Sequence, residues 1–272
     1  MTDNILTFLN KAFLNKAFFK KTPLNQLFKY VIKMSITTTK NGRLCNQIIR
    51  NLALSIIAKQ NNLHVIYSNF DNIHNKLGIE LFTGKDKYQV LKNVYNNNYI
   101  NYLNQKEKIE CNLNFMNDYF QTEEITTYLY KYIRLNNKQI EEKNPYKSRY
   151  NNNNDLFIHI RLTDSARHNP GIKYYINSIN SLKYDSIYIG SDDFNHHIIN
   201  QLKTQYPDIN FVKKNPVNTI QFGSTCKHII LSHGSFSAVI GYLAFYSNVY
   251  YPDFEPKWCP LGLFLNKGFV GN

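Results

Sequence analysis

The chain has 272 residues, 43% hydrophobic and 15% aromatic, which is enough for one large domain or two smaller ones and excludes disorder as its main state. The net charge of +13 arises from 26 Lys and 6 Arg beside 39 Asn; without zinc-finger spacing or an RNP-like aromatic motif, it reads as a solvated lysine surface and no nucleic acid is expected as a partner. No run reaches the ~20 apolar residues of a membrane span, and Cys45, Cys111, Cys226 and Cys259 lie too far apart for a zinc site or a disulfide framework.

Residues 1–33 form a basic amphipathic extension. Lys11, Lys16, Lys20, Lys21, Lys29 and Lys33 stand against Asp3, and the hexamer Phe8–Phe13 recurs as Phe13–Phe18. On a helix, Asn4, Thr7, Lys11 and Asn15 make one polar stripe in an otherwise apolar surface. Two readings follow: packing on the protein's own surface or on a twin subunit, which gives a homodimer, and weak association of residues 1–21 with an anionic membrane surface.

From Met34 the pattern becomes β-rich runs alternating with helical ones. Met34–Thr39 is a β-branched run, Gly42 a breaker, Asn46–Gln60 a helix with Ile48, Ile49, Leu52, Ile56 and Ile57 on one side, and Leu63–Tyr67 a strand. That is the start of a βαβ unit. Between 70 and 143 only Glu123–Arg134 carries a clear helical signal, amid Asn-rich loops such as Asn96–Asn98. The polar stretch from Asn144-Pro145 to Asn151–Asn154 reads as a linker, dividing a domain over 34–150 from one over 151–272.

After it, strands are expected at Leu156–Ile160, Ser186–Gly190, Ile209–Val212, His228–Leu231 and Asn248–Tyr251, with helical segments in each gap. Such alternation predicts a parallel, doubly wound α/β sheet whose ligands bind beyond the carboxyl ends of the strands. There the sequence places His159, Arg161 and Asp164, then Ser191, Asp192 and Asp193, then the small-residue loop His233, Gly234, Ser235, Phe236, Ser237. A loop of that kind entering a helix is suited to an anion, and among so few arginines Arg161 offers a planar fork for phosphate. The residues alone read as a nucleotide or nucleotide-sugar site. Plainer roles stay open: Asp192 and Ser235 as helix caps, and Arg161 paired with Asp164.

Five blocks, in order, resemble the α-1,2-fucosyltransferases and the wider group that includes α-1,6- and protein O-fucosyltransferases. They are Asn41–Gln47, Asp118–Thr122, His159–Asp164, Ile189–Asp193 and Cys226–Ser237, the last being the most specific. The resemblance implies a GT-B-like fold of two facing Rossmann-like domains with mainly parallel sheets. It also implies inverting, metal-independent transfer of fucose from a GDP-fucose donor to a glycan acceptor, with no cofactor. By position, Arg161 would hold the β-phosphate and Asn46 would approach the donor, these two being the catalytic candidates. Gly42, His159, Asp164, Asp192, Asp193, Ser235, Phe236 and Ser237 would bind the donor. Gln47, Asp71, Asp118 and Gln121 are acceptor-side candidates, and Asp71, Asp118 and Glu123 are open alternatives for the general base.

Three family positions differ here: the resemblance implies a glycine where Cys45 stands, a second arginine where Leu162 stands and a glycine where Thr163 stands, and Val239 and Ile240 replace an aromatic pair. These departures leave the donor sugar open to fucose or a related sugar, and the alternative reading is a catalytically lapsed member that binds nucleotide or glycan without transfer. The cysteine usage and the lack of an evident anchor point to cytoplasmic action, in a microbe or in a host cell if the source is viral.

Overall fold

The computed structural model describes residues 36–37, 42–115, 118–164, 166–252 and 266–267. The extension expected over 1–33, with its membrane and dimer readings, lies outside these residues.

The first half opens as the sequence predicts. Strand β1 (Ile36–Thr37), helix α1 (Leu44–Asn61) and strand β2 (Val65–Ile66) form a right-sized βαβ unit with β1 and β2 parallel. Helix α1 is buried almost all round and not on one side only. Two of its buried polar residues each make a long-range hydrogen bond: Arg50 Nη2 donates to Phe115 O (2.9 Å) and Asn51 Nδ2 to Ser68 O (2.7 Å), while Asn51 Oδ1 is buried without a hydrogen-bond partner among the described residues. Beyond it, β3 (Leu91–Val94) and β4 (Asn112–Phe115) pair in parallel across the short helix α2 (Tyr99–Leu103), and β1 lies against β4. Helix α3 (Glu123–Leu135) starts at Thr122, whose hydroxyl accepts from Ile125 N, and α4 (Asn137–Lys143) follows directly.

The stretch 144–154 is tied to the second half. Asn144 Nδ2 donates to Gln221 O (3.0 Å), and Arg149 reaches Asp155 (2.6 Å) and Thr225 (3.2 Å). There follow β5 (Leu156–Ile160), α5 (Ile172–Asn180), β6 (Ile187–Ser191), α6 (His197–Gln205), β7 (Asn210–Phe211), α7 (Pro216–Gly223), β8 (His228–Ile230), α8 (Gly234–Leu243), β9 (Asn248–Tyr251) and β10 (Asn266–Lys267). All five expected strands are present, within a residue or two at their ends, and β10 adds a sixth.

Every pairing in this sheet is parallel, in the order β10-β9-β8-β5-β6-β7. The chain winds outward from β5 through β6 to β7, returns beside β5 as β8, and winds the other way. The architecture is thus the expected α/β with mainly parallel sheets, and the strand order reverses between β5 and β8.

All five residues of β5 are buried, which explains its nearly continuous apolar run. Strand alternation sends Leu156, Ile158 and Ile160 to a core under α5 and α6, with Tyr175, Ile179, Ile199 and Leu202. Phe157 points the opposite way, into the larger core under α7 and α8, which continues through α1 and α3 of the first half. Helix α8 packs on α1, α3 and α7, and Arg134 of α3 donates to Phe245 O (2.8 Å) and Ala244 O (3.1 Å) just beyond α8. The two halves therefore share one packed seam, with a cleft at its mouth.

Candidate active site

The cleft, about 1090 Å³, opens at the switch point between β5 and β8 and faces the start of α1. Its first-half wall is built from Gly42 to Asn46 and from Asp118, Tyr119, Gln121 and Thr122. Its second-half wall carries His159 near the end of β5 with Arg161 and Asp164 beyond it, Ser191 at the end of β6 with Asp192 beyond it, and His233 to Phe236 after β8. All five sequence blocks, scattered over nearly two hundred residues, contribute to this one cleft.

Arg161 is the central cation. Its side chain is 17% exposed, its Nη2 donates to Asp164 Oδ1, and its Nε lies 3.3 Å from Asp192 Oδ2. The plain pairing with Asp164 is thus realised, without closing the site. Nη1 has no protein partner among the described residues, so part of the fork remains for a ligand. Arg43, from the opposite wall, approaches the other oxygen of Asp164 at 3.4 Å and so links the two halves across the cleft.

Asp192 does not cap a helix. Its carboxylate accepts from Leu162 N (2.7 Å) and Thr163 Oγ1 (2.6 Å), and α6 begins later, capped by His196, whose ring accepts from Ile198 N. Burial would raise the Asp192 carboxyl. The Thr163 hydroxyl, the Leu162 amide and the charge of Arg161 outweigh it and hold the group below the usual carboxylate range. Asp164 behaves alike: burial works upward, and the bond and charge of Arg161, aided by Arg43, bring it down. Both are therefore anions at neutral pH, fixing the orientation of Arg161.

Alternation along β5 puts His159 on the Phe157 face, beneath α8. Its Nδ1 lies 2.6 Å from Ser237 Oγ, and its ring stacks on Phe236 with centroids 4.8 Å apart. Burial drives its pKa down to about 3, so the imidazole is neutral. Helix α8 begins after His233 with Gly234 at φ +86, and no side chain caps it. The first amides of α8 are thereby left for an anion in the cleft, on the same edge as Arg161. Ser235 is not the cap.

On the facing wall, Gly42 adopts φ +75. A Cβ there would come within 2.7 Å of Asn46 Cβ and closer to its amide nitrogen, so only glycine lets Asn46 sit at the cleft. Gln121 Nε2 donates to Asn46 Oδ1 (2.9 Å), and Asp118 Oδ2 accepts from Asn96 N (2.7 Å).

Five sequence candidates lie outside the cleft wall, among them Glu123, exposed in the first turn of α3. Ser237 is fully buried and acts on His159 from behind, and Gln47 is buried with its amide given to Gly42 O (2.8 Å). Asp193 accepts from Asn195 N (2.9 Å), shaping the turn after β6, and Asp71 pairs with Lys76 at 3.0 Å away from the cleft. Their turn and ion-pair chemistry satisfies them locally. Leu162 is 3% exposed and packs in the core with Ile158 and Ile160, so a cation at this position would point away from the cleft. Cys45 and Val239 are likewise buried.

Arg43, Phe194, Lys214 and Thr219, which carry no site signal of their own in the sequence, also line the cleft. Arg43 lay within the quoted opening block and was one of only six arginines; Lys214 was hidden among 26 lysines. Among the described residues no cluster of His, Cys, Asp or Glu is suited to a metal ion, and no helix is long and apolar enough to cross a membrane.

No protein-family model matches the sequence, and no curated protein is significantly similar to it. Solved structures similar in fold include the α-1,6-fucosyltransferase NodZ co-crystallised with GDP, at 15% identity and a TM-score of 0.34, over 55% of this chain and 56% of that one. The chain thus spans about half of that structure. The NodZ fucosyltransferase from Bradyrhizobium matches at 12% identity and a TM-score of 0.46, over 82% of this chain and 95% of that one. POFUT1 in complex with GDP matches at 9% identity and a TM-score of 0.41, over 79% and 97% respectively.

Proposed function

We propose that the protein is an inverting, metal-independent glycosyltransferase that moves fucose from GDP-fucose to a hydroxyl of a glycan. The observation that carries this reading is the convergence of all five fucosyltransferase-like blocks on one cleft, with Arg161 and the uncapped start of α8 on the same edge. The diphosphate lies between them. Breaking the sugar–phosphate bond develops negative charge on the leaving β-phosphate, and a cation already oriented by Asp164 and Asp192 stabilises that charge without reorganising. Arg43, on the other wall, closes over the same phosphates once the donor competes for its contact with Asp164.

His159 is neutral and held by Ser237, so it serves the donor as a fixed hydrogen-bonding and stacking surface and not as a charge. Asn46, held by Gly42 and Gln121, presents its amide to the donor from the acceptor side. Of the three carboxylates open for the general base, Asp118 lines the cleft, and it takes the proton of the attacking hydroxyl on the face opposite the leaving group. Inversion follows from that opposition, and the α-linkage of the product from the β-linkage of the donor.

The test is incubation of the protein with GDP-fucose, a mixture of neutral glycans and EDTA, followed by NMR of the anomeric protons. Release of GDP with a new α-fucoside supports the reading. Binding of GDP-fucose without turnover on any glycan identifies the lapsed alternative.

A further inference from the structure

A second hollow of about 570 Å³ adjoins the cleft, and the two share Leu44 and Pro216 as a common sill. Its polar lining is mainly asparagine: Asn69 from the turn after β2 and Asn72 from the short helical segment Asp71–Lys76, and Asn215 and Asn218 from the start of α7. We propose that this hollow is an acceptor subsite, holding the neutral sugar unit next to the one whose hydroxyl receives the transferred group. The inference rests on the glycosyl-transfer reading and names where an extended acceptor runs.

The hydrogen-bonding inventory favours a sugar. Asn69 Oδ1 accepts from Asn72 Nδ2 (2.7 Å), and Asn215 Oδ1 caps α7 by accepting from Asn218 N (2.9 Å). The amide nitrogens of Asn69 and Asn215 and both ends of the Asn218 side chain have no protein partner among the described residues. Amides of this kind donate to and accept from hydroxyls without imposing a charge. The one cation in the lining, Lys76, is already held by Asp71 (3.0 Å) and Asn72 (3.0 Å), so the hollow does not call for an anionic unit. Leu44, Pro216 and Val217 supply an apolar strip against which the C–H face of a pyranose ring can lie. The two asparagine pairs come from opposite halves, so an acceptor spanning them also bridges the seam.

The experiment uses the ¹⁵N-labelled full chain titrated with lactose, cellobiose and maltose. The expected result is movement of the side-chain amide signals of Asn69, Asn215 and Asn218 with at least one disaccharide. Asn218→Ala, which leaves the backbone cap of α7 untouched, should weaken that binding about threefold to tenfold, as loss of one or two hydrogen bonds does. No movement of these amides with any of the three sugars, or equal affinity in Asn218→Ala, overturns the subsite. GDP titrated separately reports on the donor reading through the backbone amides of Gly234 to Phe236, so failure of that reading is seen independently of the hollow.

Discussion

Replacing Arg161 with alanine separates a ligand-binding cation from a structural one. The guanidinium is 17% exposed; its Nη2 donates to Asp164 and its Nε lies 3.3 Å from Asp192, which leaves Nη1 open for the proposed diphosphate contact. A charge-assisted hydrogen bond to phosphate contributes about 1.5–3 kcal/mol, so two of them amount to about 3–6 kcal/mol, or about two to four powers of ten in affinity. The fold should lose far less. Asp192 keeps Leu162 N and Thr163 Oγ1, and the half-exposed Asp164 keeps Arg43, so the destabilisation should be about 1 kcal/mol. Arg161→Lys, which keeps the charge but not the fork, should fall between wild type and alanine. Calorimetric titration of GDP into each protein, paired with urea unfolding of the ligand-free forms, measures both quantities. GDP affinity in Arg161→Ala within about threefold of wild type would refute the phosphate contact, since it corresponds to less than one such bond.

Gly42→Ala should lower kcat by at least about tenfold by displacing Asn46, while the positive φ costs the fold only about 1–2 kcal/mol; unchanged steady-state kinetics would show that Asn46 needs no such placement. His159 makes stability pH-dependent: its folded pKa of about 3 lies below the unfolded value near 6.5, so the unfolded chain takes up the proton first and stability present above pH ~6.5 is lost as pH falls toward 3. Between pH 6.5 and 4.5 that loss is about 2–3 kcal/mol, and denaturant unfolding of His159→Gln at both pH values should show it reduced, whereas an identical pH response in both proteins speaks against a buried neutral imidazole. EDTA should leave the transfer rate unchanged, and a rate restored only by Mn²⁺ contradicts the metal-independent mechanism.

How much of this was legible follows from what each segment buries. The strands of the second sheet were readable because their burial is dense: β5 is apolar on both faces, and β6, β8 and β9 each bury at least half of their residues. The rule that ligands gather beyond strand ends then located Arg161 and the His233–Phe236 loop. By contrast, β3 exposes three of its four residues, and its partner β4 contains Asn112 and Asn114. Asn114 Nδ2 bonds Asn93 Oδ1 across that pair, so amide pairing replaces the apolar alternation that marks a strand. Strand β10, two residues long, carries no periodicity to read.

Within the site, the sequence could not choose between Asp192 and Asp193, because adjacent residues after a strand point in opposite directions and only the turn geometry decides. Nor could it show that Leu162 faces the core. The resemblance treated that position as a missing cation, whereas its backbone amide is what the site uses, donating to Asp192. Arg43 escaped notice because its partner, Asp164, belongs to the opposite half and comes near only through packing of α1 on α8.

The most direct test of the central claim is a thermal-shift titration of the full chain in EDTA with GDP, UDP, dTDP and their common sugar conjugates, since binding to the native state raises its apparent stability by mass action. The cleft described here predicts a concentration-dependent rise with GDP and GDP-fucose and little or none with the others. A rise with UDP or dTDP alone would contradict the donor, and no rise with any nucleotide would contradict the nucleotide site itself.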